Sequence, residues 1–199
     1  MHTLEAIKKR RAVNHFDSTH RMTKRQIREL MAYVLLSPTS FNIQNWRFVV
    51  ITDPVLRKKI RLVSWGQSQM TDASFLVIFC ADLNAWKSAE RCWRNAPLKV
   101  RRNMVATIKM IYSRNKQLQR DEAIRSCGIA AQTLMLGAKA MGYDTCPMVG
   151  FDVKKVGKLI KLPKNHIVSM IIAVGKKIRD PWPRPGQLPL KEVCFTNQF

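Results

Sequence analysis

Two stretches of this 199-residue chain gather side chains able to hold a polar ligand. The run Ser37-Pro38-Thr39-Ser40-Phe41-Asn42-Ile43-Gln44-Asn45-Trp46-Arg47 supplies hydroxyls, amides and backbone N–H groups where an apolar helical segment ends, a usual place for ligand loops. Near the start of the chain, Arg10-Arg11 with Phe16-Asp17 form the second stretch. A guanidinium pair reads either as a fork that fixes an anion through parallel charged hydrogen bonds or as a cap complementing the negative end of a helix. The polar run likewise reads as a ligand site or as a plain helix-to-strand connection, and it is the two stretches together that favour a ligand. No Ser/His/Asp or Cys/His arrangement accompanies them. The cysteines (Cys80, Cys92, Cys127, Cys146, Cys194) are odd in number and lack a C-x-x-C spacing, which predicts reduced, mostly buried thiols. The histidines are dispersed, and no metal centre is expected.

These side chains need elements to position them. Residues 3–11 pattern as a helix ending on the Arg pair. A second helix opens with the capping-box pattern Thr23-Lys24-Arg25-Gln26, sets Ile27, Leu30, Met31, Val34 and Leu35 on one face, and is ended by Pro38. A strand over 47–52 follows, then a helix with Asp53 as N-cap and Pro54 at its first position. Residues 75–81 are apolar on both faces, as in a central strand. From 121 to 141 nearly every face is apolar or small, which predicts a helix buried all round, in a core or against another subunit, with Gly142 as its stop. Residues 145–151 predict a short loop, Asp152 caps a further helix, and 168–174 is a third buried strand. The tail, 176–199, holds Pro181, Pro183, Pro185 and Pro189 and is therefore extended. Its Trp182, Leu188, Leu190, Val193 and Phe195 predict that it wraps across a partner subunit.

An apolar content of 46% at this length predicts one domain, 1–199, with a real core. The longest apolar run, 75–81, is far short of the roughly 18 residues of a membrane span. The first residues read as an amphipathic charged helix without the apolar centre of a signal peptide, so a cytoplasmic location is expected. A net charge of +22 attracts phosphate-bearing partners in general. It is densest between Lys87 and Arg120, where ten Lys and Arg face Glu90 alone. That density, broken at Pro97, marks 82–120 as a helical basic excursion outside the sheet. There is no RGG tract, RNP-like strand or zinc finger, so a solvated basic surface is the leading reading and nucleic-acid binding its alternative.

Four features now stand in order: the Arg pair, the Ser-Pro-Thr-Ser-x-Asn-x-Gln-x-Trp run, Pro147-x-x-Gly150-Phe151-Asp152 after a small-residue helix, and a basic Pro-rich tail. Together they resemble the nitroreductase family of FMN-dependent flavoproteins over almost the whole chain. The resemblance implies that Arg10, Arg11 and Arg184 meet the FMN phosphate and ribityl chain, with Lys176, Lys177 and Arg179 as further basic candidates. Ala12 and Asn14 sit in the same turn; Ala12 stands where Ser is frequent, and Asn14 where Lys or Arg often neighbours flavin N1 and O2. Pro38, Thr39, Ser40 and Asn42 match the loop that reaches the flavin from the other protomer. Gln67, with Gln69 as a second candidate, matches the contact to the pyrimidine edge, for which an amide offers donor and acceptor side by side. Pro147, Met148, Val149 and Gly150 match the segment against the isoalloxazine, where backbone N–H groups approach N5 and Gly150 permits closeness by lacking a Cβ. Phe41, Trp65 and Trp93 are candidates to line the substrate slot.

The implied fold is α+β and nitroreductase-like: a central mixed β-sheet of four or five strands flanked by helices, in an intertwined homodimer. The helix from Asp121 would lie at the interface, the 176–199 extension would reach the partner, and a strand near 192–196 would join the partner's sheet. The implied activity is a ping-pong transfer of hydride from NAD(P)H through flavin N5 to a nitroaromatic or quinone, with no acid–base residue of the chain's own. Two alternatives differ from it. One is a specialised flavin enzyme of the same fold, such as a dehalogenase. The other is a basic nucleic-acid- or membrane-associated protein that kept the fold without turnover.

Overall fold

The computed structural model describes all 199 residues. Helix α1 (Thr3–Lys9) stops just before the Arg pair, where Arg10 turns to extended backbone. Thr23 starts α2 (Lys24–Val34) through the full capping box: its side chain accepts from the Gln26 N–H and the Gln26 side chain accepts from the Thr23 N–H. After the polar run, β1 (Trp46–Ile51) leads to Asp53, which accepts from the N–H groups of Val55 and Leu56 and so opens α3 (Pro54–Leu62). A single turn, α4 (Gln69–Asp72), precedes β2 (Phe75–Asp82). The excursion comprises a 3-10 turn (Ala85–Ser88), α5 (Ala89–Cys92) and, beyond Pro97, α6 (Leu98–Tyr112). The long helix α7 (Lys116–Ala140) begins earlier than its apolar pattern predicts, because the Asn115 side chain caps it by accepting from the Leu118 N–H at 2.9 Å. Gly142, at φ +80°, takes the left-handed turn after it. Then come β3 (Asp144–Met148), α8 (Val153–Leu159) capped by Asp152, β4 (His166–Gly175), and α9 (Leu190–Val193) in the tail.

The sheet has four strands in the order β1-β2-β4-β3, each neighbouring pair antiparallel. Its one parallel component is an isolated bridge, Ala12 to Thr145, on the outer edge of β3. Strand β2 lies inside the sheet and is buried along both faces, and its period of two divides the core. Phe75, Val77, Phe79 and Ala81 point toward α2 and α7, joining Leu30, Val34, Ala130 and Leu134. Leu76, Ile78 and Cys80 point the other way, to Ile60 of α3, Met70 of α4 and Val156 of α8. Strand β4 alternates in step, with Ile172 and Val174 on the first side and Ile171 and Ala173 on the second.

Two expectations change. Residues 145–151 are not simply a loop: the chain through Met148 forms edge strand β3, which tolerates Pro147 because an edge does not need every N–H. No strand forms near 192–196; Pro189 precedes a helical turn in which the Glu192 N–H reaches the Pro189 carbonyl at 2.9 Å. Within its own chain α7 buries one side only, which leaves its outer side for the second placement its sequence allows, against another subunit. Ala123, Cys127, Ala130, Ala131 and Leu134 pack inward, while Ile124 and Ile129 face outward and keep 37% and 38% exposure. No helix is long and apolar enough to cross a membrane.

Candidate functional site

Arg10 and Arg11 lie on the extended segment that leaves α1. The Ala12–Thr145 bridge and the Val13 N–H, which reaches the Thr145 carbonyl at 3.0 Å, pin this segment to β3. The tail comes back over it: Arg11 donates to the Trp182 carbonyl, and Arg184 donates to the carbonyls of Arg10 (3.2 Å) and Lys8 (3.4 Å). Between them is a cavity of about 640 Å³, lined by Arg10, Arg11, Ala12, Asn14 and His15 on one side and by residues 179–187 on the other. Partial burial, then the charges of Arg184 and Arg11, push the Arg10 guanidinium below its usual pKa. None of the three guanidiniums has a carboxylate partner, and the acid in the lining, Asp180, is held by Lys177. Like charges gathered without a counter-ion make a place for an anion. Lys176 is directed elsewhere, to the Gly142 carbonyl at 2.8 Å.

The outer edge of β3 continues the site. Asn14 Oδ1 accepts from the Cys146 thiol at 3.4 Å, and Gln69 Nε2 reaches the same sulfur at 3.8 Å. Gln69 is therefore a buried strut behind the strand. Burial raises the Cys146 thiol above its usual range, which keeps it a neutral donor. The Met148 side chain is in the core, so only its backbone can face a ligand. Val149 is exposed, and the N–H groups of Val149 and Gly150 donate to no atom of the chain. Gln67 Nε2 donates to the carbonyls of Gly150 (2.7 Å) and Ser64 (3.1 Å). Both amide protons are thereby used, and Oε1 is the Gln67 atom left for a ligand. Trp65 sits in the left-handed region at φ 53°, unusual for a bulky residue, with its ring against Gly150. A Cβ on Gly150 would come within 2.5 Å of Trp65 Cζ3, so a side chain there would have to displace the exposed Trp65 ring.

The polar run forms a separate, strained structure. Phe41, Asn42 and Gln44 have φ values of 49°, 52° and 47°. Such a backbone persists only when its surroundings over-determine it. Here Ser37 Oγ donates to Thr133 Oγ1 of α7 at 3.0 Å, and the Ser40 N–H donates to Glu122 Oε1 of α7 at 3.2 Å. Tyr112 of α6 donates to Ser40 Oγ at 3.0 Å. Asn42 Nδ2 donates to the Cys92 carbonyl at 3.2 Å, and Trp93 Nε1 to the Phe41 carbonyl at 2.9 Å. Glu122 is buried and also accepts from Ser126 Oγ and Arg125. The Thr39 hydroxyl accepts from the Gln44 N–H at 3.0 Å, closing the loop on itself.

The candidate residues thus fall into two groups within one chain. Arg10, Arg11, Ala12, Asn14, Gln67, Pro147, Met148, Val149, Gly150 and Arg184 follow the β3 edge and the tail. Pro38, Thr39, Ser40 and Asn42 are clamped by the excursion and α7, and none of them lines the arginine cavity. The three aromatics divide likewise: Phe41 and Trp93 pack around Ile108 and Tyr112, whereas Trp65 lies at Gly150. Tyr112 and Glu122, which hold the loop, carry no sequence signal for that role; they stand 72 and 82 residues from Ser40.

An antiparallel sheet between two helical layers, an unpaired arginine cluster at its edge and a polar loop held on a helical excursion define the class. The chain belongs to the nitroreductase family, whose model matches residues 7–176. Among individual proteins it is similar to DrgA of Synechocystis, 51% identical over 204 residues that span 99% of this chain and 97% of DrgA. It is also similar to the oxygen-insensitive NADPH nitroreductase of Helicobacter pylori, 29% identical over 185 residues, 88% of each chain. A protein of Exiguobacterium sibiricum solved in complex with FMN shares the fold, with a TM-score of 0.93 at 24% identity, covering 98% of this chain and 97% of that one.

Proposed function

We propose that this protein is an FMN-dependent oxidoreductase, working as a homodimer, that moves a hydride from NAD(P)H to nitroaromatic or quinone-type acceptors. The observation that carries this reading is the convergence of Arg10, Arg11 and Arg184, unpaired, on one cavity beside a strand end with free N–H groups at Val149 and Gly150. That donor set fits FMN: the guanidiniums suit a phosphate dianion, and the N–H pair suits the electron-rich edge of a flavin ring. Gln67 would offer Oε1 as an acceptor to the pyrimidine N–H. When bound, FMN supplies the hydride chemistry at its N5 atom, taken from NAD(P)H and given to the acceptor.

The chain's part is positioning. The Ala12–Thr145 bridge and the Asn14–Cys146–Gln69 contacts fix the turn carrying the arginines to β3, so phosphate site and strand end move as one unit. Trp65, its ring against Gly150, narrows the approach to the strand end. Asn14 places a neutral amide where a cation would stabilise a negatively charged ring, so charge stabilisation at that point is weaker than a Lys would give. The loop with Pro38, Thr39, Ser40 and Asn42 lies off the arginine cavity of its own chain, which favours its serving the site of a second copy.

Purified protein should show the absorption bands of an oxidised flavin, lose them on anaerobic NADPH addition and regain them with nitrofurazone or a quinone. Colourless protein that FMN cannot reconstitute would remove this reading.

A further inference from the structure

The flavin site leaves the charge of the excursion unused. Of the ten Lys and Arg from Lys87 to Arg120, only Arg120 has a carboxylate near, Asp121 at 4.0 Å; the other nine are in no ion pair of the molecule. Along α6, Lys99, Arg102 and Lys109 share one outward, exposed side of the helix, and α6 contains no acid to offset them. Like charges on one helix face repel, so this stripe costs the fold something and returns no internal contact. The excursion is tied to the polar loop: Cys92, Trp93 and Tyr112 each hydrogen-bond it, at Asn42, Phe41 and Ser40, and the oxidoreductase reading sets that loop at the site of a second copy.

We propose that the excursion is an electrostatic collector for negatively charged electron acceptors, quinones or nitroaromatics that carry a carboxylate or sulfonate, drawing them to the mouth of the site. The inference rests on the oxidoreductase reading above. Exposed cations act over about a Debye length, roughly 10 Å at 0.1 M salt, so they raise the rate of encounter without needing contact. Nucleic acid is the less suited anion. A single-strand groove needs aromatic faces for stacking; here Tyr112 is buried, and Trp86 and Trp93 are half-buried and packed against the Ile108–Tyr112 cluster. Helix α6 shows no exposed aromatic.

The test compares kcat/KM for naphthoquinone and for a naphthoquinone sulfonate at saturating NADPH, in the flavin-loaded wild type and in the triple variant Lys99→Glu, Arg102→Glu, Lys109→Glu. Raising ionic strength from about 20 to about 200 mM should lower the wild-type value for the sulfonate about tenfold and change the neutral quinone less than about twofold. The triple variant at low salt should lose the sulfonate advantage while reducing the neutral quinone as before. Equal salt responses of the two quinones in wild type overturn the collector even if the variant does not fold. So does a variant that keeps the sulfonate advantage. Salt-sensitive binding of a DNA duplex that the variant abolishes, with no discrimination between quinones, assigns the stripe to nucleic acid instead. Failure to reduce either quinone removes the oxidoreductase reading itself, and the collector with it.

Discussion

Arg10 is held where a cation is unwelcome. It is partly buried, stands beside Arg184 and Arg11, and neither a hydrogen bond nor an acid offsets the depression of its pKa. If an anion is the reason, Arg10→Gln should separate binding from stability. The ligand-free variant should unfold within about 0.5 kcal/mol of wild type, since a repulsive charge is lost and no contact with it. FMN affinity should fall about tenfold or more, the worth of a charge-assisted bond, while riboflavin, which lacks the phosphate, binds as before. Calorimetric titration of the deflavinated protein with each flavin measures this, and equal losses for both would take Arg10 off the phosphate. Arg184 is a less clean probe, because it also ties the tail to the carbonyls of Lys8 and Arg10. The twin arginine was legible in the sequence. That it stays unpaired was not, since its surroundings include Trp182, which lies 171 residues from Arg11.

At the scale of elements, the polar loop depends on two helices. Its left-handed residues Phe41, Asn42 and Gln44 are each disfavoured by about 1 kcal/mol or more, and the clamp of α6 and α7 must offset that. Glu122 is the centre of the clamp. Glu122→Ala strands the Ser40 N–H and Ser126 O–H in a buried place and should lower the unfolding free energy by about 2–4 kcal/mol. Glu122→Gln, which keeps an acceptor, should recover about half of that. Urea unfolding followed by circular dichroism decides, and a loss below about 0.5 kcal/mol for the Ala variant would show that the loop holds its shape without Glu122. Features with local causes were readable beforehand: the Thr23 box, the Asp53 and Asp152 caps, the doubly buried β2, the break at Pro97. Strand β3 was not, because Pro147 reads as a breaker until β4 is known to pair beside it. Nor was the clamp, since no pattern near Ser40 points to Tyr112 or Glu122.

The chain leaves large apolar side chains uncovered on its tail and on α7. Trp182 and Leu190 are 86% and 75% exposed, Leu188, Val193 and Phe195 are also uncovered, and α7 adds Ile124 and Ile129. Large apolar side chains left uncovered on an extended tail and on a helix suit an association face. A second copy would cover it and bring a polar loop to an arginine cavity, so we expect a homodimer in which flavin retention follows association. The double variant Leu190→Asp, Phe195→Asp should shift sedimentation toward the single chain and release FMN in parallel, with helical content unchanged; a wild type that sediments as one chain yet stays yellow would overturn the expectation. The charge makes the test sharper. Two chains of +22 repel, so added salt should tighten the dimer by screening that repulsion. The same salt should weaken the capture of anionic acceptors by the excursion. A single salt series, read once by sedimentation and once by kcat/KM, should therefore move in opposite directions. Parallel loss of both would place the cations of the excursion in the subunit contact rather than at the mouth of the site.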